Sequence, residues 1–209
     1  MIIKKSSPIT TLLFFEYTTI SLTGFCLLFF GIISGMYKIH VLSGTALVAV
    51  LPVSLRLYKN TWNWYALGFR FDNLREALPL YFKAAVAGGV VLLLYGLVFP
   101  MQHSIDWDTF IQYSVLGAIA QELLYRAYLM LLGQQLFGDG VVNLSINVAV
   151  FVGMHAFYEG FLQKLIVLIP AGILFTLLYK KYPNIFLVTC VHIFLNALAI
   201  YLGVFSNGK

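Results

Sequence analysis

Long apolar runs, separated by short stretches that hold most of the charged residues, set the pattern of this chain. A helix that crosses a bilayer needs about 20 mainly apolar residues. Runs of that order fall at about 14–36, 41–58, 82–100, 108–136, 141–158, 161–179 and 184–205, the second and fifth being short. The pattern predicts an all-α fold, a polytopic membrane helical bundle of about seven spans, with residues 1–209 forming a single transmembrane domain. Residues 59–81 break the pattern. They mix Lys59, Arg70 and Arg75 with Trp62, Trp64, Tyr65 and Phe69, the composition of a segment lying at the lipid headgroups. No internal repeat or low-complexity tract divides the chain.

Composition fixes the solvent. Of the 209 residues 61% are hydrophobic and 10% charged, with a mean hydropathy of +0.89. A soluble domain carries about 45–50% apolar and ~25% charged residues, so the surplus here must face lipid. Cys26 and Cys190 both fall inside apolar runs and read as small hydrophobes, with no disulfide framework. The first apolar run, from about Thr11 to Met36, has no small-x-small cleavage site after it and is expected to be a retained span.

The charge balance of +5 matters through its placement. With the N-terminus inside, the inner ends of the spans carry Lys4, Lys5, Arg56, Lys59, Arg70, Arg75, Lys83, Lys180 and Lys181, and the outer ends only Lys38, Lys164 and Lys209. The positive-inside rule therefore predicts a cytoplasmic N-terminus and an outer C-terminus. The basic residues form no stripe, which argues against nucleic acid as a partner.

Polar residues interrupt three of the last four runs. Gln121, Glu122 and Arg126 lie in the fourth, His155 in the fifth, and His192 and Asn196 in the last. A charged group at the centre of a span costs about 2.5–3.5 kcal/mol on insertion scales, and such groups face a polar interior when they persist. Glu122 and Arg126 are four apart and share a helix face, as do His192 and Asn196. At 1.5 Å per residue, Gln121, His155 and Asn196 sit roughly 22, 21 and 18 Å from the inner ends of their spans. Three helices thus bring amide, imidazole and carboxylate to one slab. Each signal also has a structural reading: a buried ion pair that pins packing, a hydrogen-bonded histidine, and interhelical polar contacts.

Such a set allows hydrolysis. A carboxylate and a histidine can activate water as general base, while a second histidine and an asparagine donate to the developing oxyanion. That chemistry needs no cofactor beyond activated water. Two histidines with a carboxylate can equally hold a divalent metal that acidifies bound water. The residues alone leave both open.

The order and spacing resemble those of the CAAX-protease and bacteriocin-processing (CPBP) family of intramembrane endopeptidases, which includes the Ras-converting CAAX endopeptidase. That family shows E-E-x-x-x-R, F-x-x-x-H and H-x-x-x-N on successive membrane helices. The matches are Gln121-Glu122-x-x-x-Arg126, Phe151-x-x-x-His155 and His192-x-x-x-Asn196, over a motif core of about 105–205. The resemblance implies an enzyme acting on a membrane-associated or lipidated peptide or protein within the lipid bilayer. It implies that the residue at 121 works with His155 on water, that His192 and Asn196 steady the oxyanion, and that Glu122 and Arg126 hold their helix in register. One departure stands out. The family's first glutamate is Gln121 here, and an amide cannot take a proton from water at neutral pH. The expectation is an intramembrane protease that is inactive in this form, because Gln121 stands where its base should be. The alternative is a non-catalytic membrane protein that keeps the fold for binding, immunity or partnership. A transporter is disfavoured, as the chain shows no inverted repeat or paired broken helices.

Overall fold

The computed structural model describes residues 8–33, 38–59, 61–99, 110–156 and 160–204. Lys4, Lys5 and Lys209, used above for orientation, lie outside the described residues. Within them the chain is helical, with no strand: α1 (Pro8–Ile33), α2 (Lys38–Tyr58), α3 (Leu74–Val98), α4 (111–137), α5 (Val141–Gly153), α6 (Phe161–Lys181) and α7 (Ile185–Tyr201). Seven helices stand where about seven spans were expected. Among the described residues, segments of α1, α3, α4 and α6 are long and apolar enough to cross a membrane, while α5 and α7 are shorter apolar helices of 13 and 17 residues. This is an integral membrane protein.

The helix that carries Glu122 and Arg126 lies in the centre. The apolar stretch Ser114–Phe137 of α4 is 67% buried inside the protein, against 11% for Ile9–Cys26 of α1. From Leu124 to Met130 every α4 side chain is buried, including the charged Arg126. Charge is costly in hydrocarbon, so the helix that carries it is wrapped by the others. Around it α3 packs along α7, α5 along α6, and α1 along α2. The lipid-facing surface is what the composition demands: Leu12, Phe15, Phe82, Leu97 and Leu162 are all well exposed.

Polar contacts tie the connections at one end together. Asn184 caps α7 by accepting from Leu187 N at 3.0 Å, and its amide donates to Asn73 Oδ1 (2.8 Å) and to the Arg70 carbonyl (2.9 Å). The Ile185 N–H donates to Gly68 O, and Tyr81 Oη to Tyr182 O, each at 2.9 Å. Lys180 reaches across to the α4–α5 turn, donating to Asp139 O at 2.8 Å. Gly68 has φ +77°, a conformation that favours glycine, and a Cβ there would also strike the Tyr179 ring.

Two sequence expectations need correction. α3 begins at Leu74, well before the expected 82, so the connecting segment ends sooner. Trp62 lies inside the bundle, only 8% exposed, with its ring 5.2 Å from that of Tyr128 and under the Arg56 guanidinium at 5.3 Å. Trp64, Tyr65 and Phe71 remain exposed, as a headgroup-level segment requires. Trp62 is drawn inward by a polar cluster: Arg56 of α2 pairs with Glu16 of α1, and the Tyr128 hydroxyl of α4 donates to the same carboxylate.

A buried charge network beside an apolar cavity

The motif helix α4 is not α-helical throughout. Residues Ile111–Gly117 and Leu123–Leu129 form π-helical turns on either side of Ala118–Glu122. The cause of the second is visible. The Tyr125 carbonyl takes the Met130 N–H, five residues on, and also accepts from Asn147 Nδ2 of α5 at 2.7 Å. A side chain inserted at the ladder widens the turn. Asn143, one turn earlier in α5, donates likewise to the Met130 carbonyl at 3.1 Å. Thr176 of α6 completes the arrangement, its hydroxyl lying 3.1 Å from Asn147 Oδ1 and 2.7 Å from Gly172 O.

This pinning predicts a stability effect. Asn147→Ala removes the amide that joins α4, α5 and α6 and leaves the Thr176 hydroxyl short of one partner. Loss of a buried partner costs about 1–3 kcal/mol. Thermal unfolding in detergent should show a clear drop in Tm, and an unchanged Tm would remove Asn147 from the structural account.

Glu122 and Arg126 do meet, as their spacing implied. Arg126 Nε lies 3.4 Å from Glu122 Oε2, with both side chains fully buried. The contact is electrostatic and lacks hydrogen-bond alignment: Glu122 Oε2 and Arg126 Nε and Nη1 have no hydrogen-bond partner. Arg126 Nη2 points to Gly172 O at a long 3.5 Å. Aromatic faces hold the guanidinium instead, with Phe151 at 4.8 Å and Phe175 at 5.5 Å from its carbon.

The strongest bond in the cluster runs between helices. Glu122 Oε1 lies 2.6 Å from His192 Nδ1 on α7, and both side chains are buried. Phe175 stacks on the His192 ring at 4.7 Å. His155 follows the end of α5, its Nδ1 2.7 Å from the Phe151 carbonyl and its ring 4.7 Å from that of Phe151. Since α5 has only 13 residues, about 20 Å of rise, it ends within the thickness of a bilayer and leaves His155 there.

His155, His192 and Asn196 line one cavity of about 240 Å³. Its other walls are apolar, from Gly88 and Val91 of α3 to Leu168 and Leu174 of α6. Glu122 and Arg126 are not among its lining residues, and Glu122 reaches the cavity wall through His192. Gln121 is half-buried and not among the cavity's lining residues, and its Oε1 is shielded without a hydrogen-bond partner. Among the described residues, no three His, Cys, Asp or Glu side chains are grouped to hold a metal ion.

Sequence reasoning overlooked Glu16, Asn143, Asn147, Phe175 and Thr176. A signal existed for three of them: Glu16 is a lone carboxylate in an apolar run, and Asn143 and Asn147 are amides four apart in another. Nothing in the sequence marks Phe175 or Thr176.

The fold and the site define a polytopic helical membrane protein with a charged, hydrogen-bonded interior opening on an apolar cavity. Residues 104–198 match the family described as Type II CAAX prenyl endopeptidase Rce1-like. The resemblance to the CPBP family therefore holds over the segment that carries all six motif residues. The chain is also 26% identical over 152 residues to the UPF0177 protein YbdJ of Lactococcus lactis subsp. lactis, a match covering 63% of this chain and 64% of that relative. No solved structure matches.

Proposed function

We propose that the protein is an intramembrane endopeptidase that hydrolyses peptide bonds of membrane-associated or lipidated peptides, at a rate held down by the amide at position 121. The observation that carries this reading is the convergence of His155, His192 and Asn196 on one cavity, with Glu122 bonded to His192. In this reading the residue at 121 and His155 act on water, His192 and Asn196 face the oxyanion, and Glu122 with Arg126 holds α4 in place. The shielded, unpartnered Gln121 Oε1 needs a donor, and the attacking water supplies one. The apolar walls suit an aliphatic or lipid-like portion of a substrate.

Gln121 itself favours a second reading, a non-catalytic binding, immunity or partner protein that keeps the fold. A cleavage assay separates the two. The chain and its Gln121→Glu form are reconstituted in liposomes with a set of membrane-anchored peptides. Cleavage by the glutamate form supports the enzyme; binding without cleavage by either form supports the second reading.

The N-terminus is proposed to be cytoplasmic. Arg56, Arg70 and Lys180 share the end of the bundle where the connections are tied, which supports that assignment. A thiol probe that cannot cross membranes should label a cysteine placed at Asp139 only after the cytoplasmic face is opened. Labelling of intact cells would reverse the orientation.

A further inference from the structure

Peptide N–H groups inside a membrane need an acceptor, because no water satisfies them there. A regular helix offers few: each C=O along its length already takes the N–H four residues on. Proline breaks that rule. Pro52, Pro79 and Pro170 lie inside described helices, and of these three Pro170 lines the cavity. Pro170 has no N–H, so the Ile166 carbonyl, which aims at it along α6, receives no bond from position 170. Pro170 is also exposed, as are Ala87 and Val91 of α3, which line the same cavity. These residues mark a mouth between α3 and α6 that faces the membrane. Ile166 turns its side chain outward, 58% exposed, so what it has to offer there is its backbone oxygen.

We propose that the Ile166 carbonyl, left without its helix donor by Pro170, accepts a backbone N–H of the substrate and holds the peptide extended at the mouth of the cavity. The proposal rests on the peptidase reading above and adds a substrate-positioning group to it. Val167 and Leu168, next along the chain, line the cavity together with His155, so a peptide bonded to Ile166 O enters beside that imidazole. The occupant selected is a peptide stretch with no helical bonds of its own. A helical segment has its N–H groups engaged already and has none to give this carbonyl. A substrate with proline at the contacting position lacks the donor and is disfavoured. A merely structural Pro170 would kink α6 and leave binding indifferent to which substrate N–H is present.

The test takes one acyl-anchored peptide in liposomes, replaces its backbone N–H groups one at a time with an ester oxygen, and measures Kd for the chain and for Pro170→Ala. The alanine variant supplies an N–H at position 170 and closes the helix bond to Ile166 O. We expect one ester position to weaken binding to the chain by roughly 3–10-fold, the size of one net hydrogen bond. The same ester should bind Pro170→Ala as well as the amide does, and that coupling isolates the pair. A second measurement needs no variant. Ile166-Val167 is the one Ile-Val step in the sequence, so labelling isoleucine at its carbonyl carbon and valine at its nitrogen singles out Ile166 by NMR. The amide peptide should move that carbonyl signal downfield, and the sensitive ester should not. If Pro170→Ala does not fold, the NMR measurement decides. Bound peptide whose esters cost the chain and the variant alike, or that leaves the Ile166 signal in place, overturns the proposal. Cleavage by the Gln121→Glu form beside either outcome leaves the peptidase reading standing. No peptide bound by the chain and none cleaved by Gln121→Glu sinks both.

Discussion

Gln121→Glu should raise kcat for a membrane-anchored peptide by about 10²–10⁴-fold, the usual contribution of a positioned general base, with little change in KM. The two side chains have nearly the same shape, so the substitution should disturb neither the helix nor the substrate's seat. What changes is the chemistry at one oxygen. Gln121 Oε1 is shielded and unpartnered; as an amide carbonyl it can orient a water but cannot take its proton. As a carboxylate it can do both. A rise in KM with kcat unchanged would mean that position 121 contacts substrate rather than water. Equal rates in the two forms would remove position 121 from the mechanism.

The helical bundle was legible because it rests on composition and run length, which lipid imposes on the whole chain. The ends of helices were less so. α3 starts at Leu74 although 74–81 include Arg75, Glu76 and Pro79, because a helix does not stop where hydrocarbon stops. The Glu122–Arg126 contact was readable from spacing within one helix, whereas the shorter Glu122–His192 bond joins residues 70 apart and needs the α4–α7 packing to exist. The second π turn of α4 was hidden for a similar reason: it depends on an amide reaching over from α5. Trp62 was misplaced because its partners Arg56, Glu16 and Tyr128 come from three helices, and a tryptophan beside positive charge looks interfacial until those helices assemble. Patterns along one element survive translation into structure; partners between elements do not.

Arg126→Ala is expected to be the most destabilising single change in the motif segment. It leaves Glu122 fully buried with His192 alone to face its charge, and removes the guanidinium that fills the space between Phe151 and Phe175. Breaking a buried pair by deleting one partner costs about 3–5 kcal/mol, far more than the pair contributes relative to an apolar replacement. The contrast is testable. Arg126→Lys keeps the charge but loses the planar face that lies against the rings, and should fall between the parent and Arg126→Ala in Tm measured in detergent. Replacing both Glu122 and Arg126 with leucine and methionine should restore much of the lost stability, because no unpaired charge remains, while abolishing cleavage, because His192 loses its carboxylate. A folded Arg126→Ala variant with the parental Tm would show that the charge network is not what holds α4 in place. A double variant no more stable than Arg126→Ala would point instead to the stacked guanidinium, and not to the uncompensated carboxylate, as the origin of the loss.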